Sequence, residues 1–213
     1  MQVDFDGLEG RLEGVLWDPP TASRAAMVFC HPHPGHGGNM HNNVVYRAGR
    51  GLQEAGVSLL RFNFRGVGRS EGLAAGTGSS DGGPEADEDL LAALELLGGL
   101  RPGLPLWAGG FSFGARAACR VGGTHPKLER LLLVALPVGI FPCPFLDKVR
   151  PPTHILMAGE DEYGTVQDLQ EQFPDLPEHV SSEEILGVDH FFKGQLPLLQ
   201  SKARDWANAA FDE

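Results

Sequence analysis

The sequence predicts a doubly covered α/β domain, a mostly parallel sheet with helices on both faces. Short runs that are apolar at consecutive positions recur along the chain, and amphipathic helical runs separate them. Strands buried on both faces lose the apolar–polar alternation of a half-wet sheet, and parallel neighbours need a crossover, usually a helix. With 213 residues the chain can bury one sizeable core and is short for two, so residues 1–213 read as a single domain.

In chain order, Gly7 to Trp17 alternates apolar and polar residues and reads as an antiparallel edge hairpin with one wet face. Ala25 to Cys30, Val57 to Phe64, Leu104 to Gly109, Leu131 to Leu136 and His154 to Ala158 are the buried-strand candidates, with Glu184 to Gly187 a shorter one. Between them fall helical runs at Val44 to Glu54, Ala86 to Leu97, Phe113 to Val121, Val166 to Phe173 and Leu196 to Phe211. Gly72 to Gly83, rich in Gly, Ala and Ser, reads as a mobile surface loop. The acidic cluster Glu85, Asp87, Glu88 and Asp89 reads as a solvated helix start, where carboxylates complement the dipole.

The composition, 42% hydrophobic and 21% charged, is that of a soluble globular protein, and a net charge of −11 argues against nucleic acid or an anionic membrane as partner. A small neutral molecule fits better. Three widely spaced cysteines, Cys30, Cys119 and Cys143, in apolar surroundings read as reduced buried thiols and point to the cytoplasm. The acidic N-terminus with no apolar stretch behind it lacks the form of a signal peptide. Leu131 to Leu146 carries no formal charge but is broken by three prolines and is too short to span a bilayer. Oligomeric state leaves no signature.

The most informative stretch is Gly110-Phe111-Ser112-Phe113-Gly114, between an apolar run and a helical one. It reads as strand, sharp turn and helix, with the serine in a strained conformation at the turn and glycines where side chains would clash. A serine nucleophile needs a neutral imidazole to take its proton and a carboxylate to orient that imidazole. His190, in Gly187-Val188-Asp189-His190-Phe191-Phe192 just after the last strand candidate, is the candidate base. Asp189 is badly placed to orient it, because adjacent side chains point in different directions. Asp161 in Glu160-Asp161-Glu162, after another strand, is the candidate acid, and Glu160 stays open as its rival.

An oxyanion needs two N–H donors. Phe113 follows the nucleophile and supplies one; the loop Cys30-His31-Pro32-His33-Pro34 offers the backbone of His33, because prolines have no N–H to give. His31, His33 and His36 are spaced like part of a zinc signature, but Gly35 stands where that signature has an aspartate, so no metal and no cofactor are expected.

The loop at His31 to Asn42, the stretch Arg61-Phe62-Asn63-Phe64-Arg65-Gly66-Val67-Gly68-Arg69-Ser70-Glu71-Gly72, the serine turn and the Asp-His-Phe-Phe stretch together resemble the α/β-hydrolase superfamily. Within it they most resemble small bacterial hydrolases related to dienelactone hydrolases and short-chain esterases. The resemblance runs from about Phe29 to Phe192. It implies the α/β-hydrolase fold with a minimal lid, Ser112, Asp161 and His190 as triad, and backbone donors from His33 and Phe113. Dienelactone hydrolases proper use a cysteine where this chain has Ser112. Arg65 and Arg69 are expected to tie loops to backbone carbonyls. Pro137 to Pro152 leaves room for a short excursion and a shallow acyl pocket rimmed by Met40, Ile140, Phe141 and Phe191. The expected activity is carboxylesterase-like hydrolysis of a small ester or thioester through an acyl-enzyme. A small peptidase or amidase of the same fold, or a binding protein that has lost its chemistry, are the alternatives.

Overall fold

Strand β3, Ala25–Cys30, is buried at all six positions, and its side chains divide between two cores. Ala26, Val28 and Cys30 enter one, while Ala25, Met27 and Phe29 enter the other. A strand's period of two sends neighbours to opposite faces, so a strand apolar throughout needs cover on both sides. The computed structural model describes residues 1–76 and 83–212 and supplies that cover.

The sheet has eight strands: β1 (Gln2–Gly7), β2 (Gly10–Trp17), β3, β4 (Val57–Phe62), β5 (Leu106–Phe111), β6 (Leu128–Val134), β7 (Thr153–Ala158) and β8 (Val180–Ile185). Their order is β1-β2-β4-β3-β5-β6-β7-β8, antiparallel at the β1–β2 and β2–β4 pairs and parallel elsewhere. Helices α1 (Asn43–Glu54) and α5 (Leu196–Ala210) cover one face. Helices α2 (Pro84–Leu100), α3 (Phe113–Gly122) and α4 (Val166–Gln172) cover the other. Local chemistry sets several helix starts: Asn42 Oδ1 accepts the Val44 N–H at 2.9 Å, Pro84 opens α2, and Thr165 with Asp168 forms a capping box. The segment from β6 to β7 holds a single 3-10 turn, Leu146–Lys148, so among the described residues no helical lid rises there.

Some expectations are corrected. Strand β8, Val180–Ile185, begins four residues and ends two residues earlier than Glu184 to Gly187 suggested; it is an edge strand whose Ser181, Ser182 and Glu184 face solvent, which erases the apolar signal. The acidic cluster is not simply solvated. Asp89 is fully buried and accepts the Arg65 backbone N–H at 2.8 Å and Nε at 2.9 Å, while Asp87 holds Arg120. Arg65 and Arg69 therefore bind carboxylates rather than carbonyls: Arg65 those of Asp89, Glu88 and Glu9, Arg69 that of Glu13 at 2.8 Å. Ion pairing with an acid replaces hydration that burial removes. Of the predicted surface loop from Gly72 to Gly83, residues 77–82 lie outside the described residues.

Candidate active site

Ser112 ends the step from β5 into α3 with φ 54° and ψ −114°, a strained backbone for a residue with a side chain. The Ser112 N–H is tied to the Val134 carbonyl at 2.9 Å and its own carbonyl accepts the Arg116 N–H at 3.1 Å, so strand and helix hold the bend from both sides. The flanking glycines are required by space. A Cβ on Gly110 would stand 2.5 Å from the Gly114 carbonyl carbon, and one on Gly114 would stand 2.6 Å from the carbonyl oxygens of Cys30 and His31. Helix α3 thereby comes close enough to β3 for the loop after β3 to face the serine.

That loop is pinned from below. His31 is fully buried; its Nδ1–H donates to the Pro32 carbonyl at 2.6 Å and its Nε2 accepts the Phe64 N–H at 3.1 Å. This arrangement requires the neutral imidazole, and burial lowers its pKa to about 4. His33 stands half-buried above it, its Nδ1 accepting the Gly35 N–H at 3.0 Å and its ring 5.0 Å from that of Phe113. Burial, with the neighbouring His36, also lowers the His33 pKa. Among the described residues, the backbone N–H groups of His33 and Phe113 have no hydrogen-bond partner. With both His31 nitrogens engaged inward, the three histidines do not converge, and among the described residues no cluster of three His, Cys, Asp or Glu is placed to share an ion.

Asp161 follows β7 and His190 follows β8. Asp161 Oδ2 lies 2.7 Å from His190 Nδ1, and its Oδ1 accepts the Tyr163 N–H at 2.8 Å; both side chains are almost wholly buried. Glu160 points to solvent, its own N–H bonded to the Val188 carbonyl, and Glu162 is exposed as well. The imidazole is enclosed by the rings of Tyr163, Phe111 and Phe191, at centroid distances of 4.6, 4.9 and 5.2 Å.

Ser112, His190, His33 and Phe113 all line one cavity of about 300 Å³ at the carboxyl edge of the parallel strands. Pro137, Ile140, Phe141 and Phe191 supply its apolar wall. Met40 does not belong to it. That residue is 3% exposed and its backbone is held by Asn63 Oδ1 and by Arg61, which turns it into the core. Tyr163, Asn42 and Arg116 line the cavity without having been anticipated. Only Arg116 had a readable signal: it lies four residues after Ser112, one helical turn along the same face, and its guanidinium rests over Phe141 and Phe145 at 4.9 and 5.4 Å. A larger groove of about 980 Å³ at the opposite strand edge, between the end of α2 and the start of β6, contains neither the serine nor the histidine–acid pair.

Known proteins match this frame. The family described as serine aminopeptidase, S33, matches residues 21–144. An uncharacterized protein of Rickettsia prowazekii (strain Madrid E) is 33% identical over 210 residues, 90% of this chain and 82% of that one. Among solved structures, an alpha-beta serine hydrolase homologue from Coxiella burnetii is 30% identical with a TM-score of 0.86, over 96% of each chain. A serine hydrolase without lid from Xanthomonas campestris is also 30% identical at TM-score 0.86, covering 99% of this chain and 94% of its own.

Proposed function

The chain belongs to the α/β-hydrolase superfamily, and on that premise we propose that it is a serine hydrolase cleaving small esters or thioesters through an acyl-enzyme. The observation that carries the reading is that His190 lines the same cavity as Ser112, which sits on its strained turn, and is backed by the buried carboxylate of Asp161. His190 Nε2 takes the Ser112 proton as Oγ attacks the acyl carbon, while Asp161 holds the ring by Nδ1 and stabilises the imidazolium. The His33 and Phe113 N–H groups receive the oxyanion. Collapse passes the proton from His190 to the leaving alcohol or thiol, and water activated by the same imidazole then frees the acid and restores Ser112. The balance closes on substrate and water, so the proposed reaction calls on no cofactor or metal.

Esters suit the cavity better than peptides. An aminopeptidase needs an anionic group to hold the substrate's ammonium, and among the described residues no Asp or Glu lines this cavity. The apolar walls at Ile140, Phe141 and Phe191 would hold a short acyl chain. Three free, buried cysteines support a cytoplasmic location, and among the described residues no helix is long and apolar enough to cross a membrane.

A fluorophosphonate probe should label the wild-type protein and not Ser112→Ala, and short p-nitrophenyl esters should be turned over by the first and not the second. Equal labelling of both would remove Ser112 from the mechanism, and turnover abolished by a chelator would replace it with a metal.

A further inference from the structure

The residue before the base has its own task. Asp189 Oδ1 accepts the backbone N–H of Phe191 at 3.1 Å and of Lys193 at 3.0 Å, and its carbonyl accepts the Phe192 N–H at 2.9 Å. Phe192, fully buried with φ 54°, ends the turn in a left-handed conformation, and its carbonyl receives the Gln195 N–H. On the other side, the Val188 carbonyl receives the Glu160 N–H, tying the turn to the loop that carries Asp161. His190 is thus the second residue of a single coil, capped at its start by a carboxylate and locked at its end by a buried ring.

We propose that Asp189 is a positioning residue for His190: its side-chain oxygen folds the coil that aims the imidazole at Asp161 and at the cavity. The inference rests on the reading of His190 as base. Adjacent side chains diverge, so the one that cannot reach the imidazole is free to hold the backbone beneath it. What matters in this role is an acceptor oxygen one carbon from Cβ, not the negative charge. A misplacement of the ring by an ångström is enough to cost about 100-fold in rate, because proton transfer needs a near-ideal approach.

The test separates acceptor geometry from charge. Asp189→Asn keeps the oxygen and loses the charge; Asp189→Glu keeps the charge and carries the oxygen one methylene too far; Asp189→Ala loses both. On p-nitrophenyl butyrate, Asn should stay within about threefold of wild type, while Glu and Ala should lose roughly 10- to 100-fold in kcat with KM changed less than about twofold. The far-downfield proton resonance of the His190 Nδ1–H should persist in Asn and broaden or vanish in Glu and Ala, recorded below each variant's melting temperature. Asn as impaired as Ala, or Glu and Ala indistinguishable from wild type in kcat and resonance, overturns the proposal. If Ala does not fold, the Asn and Glu pair decides alone. His190→Gln separates the two readings: full turnover in that variant sinks His190 as the base, while the resonance in the Asp189 series still reports the coil.

Discussion

Asp161 divides its carboxylate between two partners, giving Oδ2 to His190 Nδ1 at 2.7 Å and Oδ1 to the Tyr163 amide at 2.8 Å. The second bond fixes the plane of the first, so the imidazole is oriented as well as charged against. Asp161→Asn should lower kcat on p-nitrophenyl esters by roughly 10⁴-fold, the loss that follows when the wrong tautomer is favoured. Glu160→Gln should leave it within about twofold. Similar losses in both variants would reverse the assignment of the acid.

The serine turn predicts a contrast between glycines. Gly114→Ala forces a Cβ to within 2.6 Å of two carbonyl oxygens and should cost about 1–3 kcal/mol in urea unfolding, with loss of probe labelling. Gly98→Ala, in the body of α2 with nothing within 4 Å of the new methyl, should instead stabilise by about 0.4–1 kcal/mol. Equal effects would mean that the close approach of α3 to β3 is not what the turn depends on.

His31 predicts an acid-side weakness. Its folded pKa of about 4 lies below the ordinary 6.5 because burial opposes the charge, so the unfolded chain binds the extra proton first. Its contribution is nil above pH 6.5, falls against the folded state as pH drops through the window from 6.5 to 4, and levels off below. The full loss is about 3 kcal/mol. Urea midpoints at pH 7, 5 and 4 should fall more steeply for wild type than for His31→Gln; parallel lines would assign the acid sensitivity elsewhere.

The Arg65–Asp89 pair predicts an asymmetry. Both side chains are 1% exposed, so Asp89→Ala strands a buried guanidinium that keeps only the half-exposed acids Glu9 and Glu88. A loss of about 3 kcal/mol is expected in chemical denaturation, against less than about 1 kcal/mol for Asp18→Ala, whose bond to Arg101 lies near the surface.

The apolar wall predicts acyl selectivity. Ile140 is half exposed at the mouth of the cavity, and Ile140→Trp should narrow it. The kcat/KM for octanoyl esters should fall about tenfold or more relative to acetyl esters, a difference in line with what a few methylenes in an apolar pocket are worth. An unchanged ratio would place the acyl chain elsewhere.

The chain's own order of residues determined the alternation of strands and helices, the serine turn with its two glycines, and the succession of serine, acid and histidine. The first two are local matters, set by steric limits and periodicity within a dozen residues, and the third is read from chain order alone. The tertiary structure decided what depends on direction. Three neighbouring carboxylates at 160–162 look alike in sequence, and only the fold shows that Asp161 meets His190 while Glu160 and Glu162 face solvent. The pocket expectation for Met40 and the solvated reading of Asp87 and Asp89 fail for the same reason: whether a side chain meets water, a cavity or a guanidinium is fixed by strands and helices far away in the chain. Local pattern carries conformation, whereas orientation and burial are properties of the packed whole.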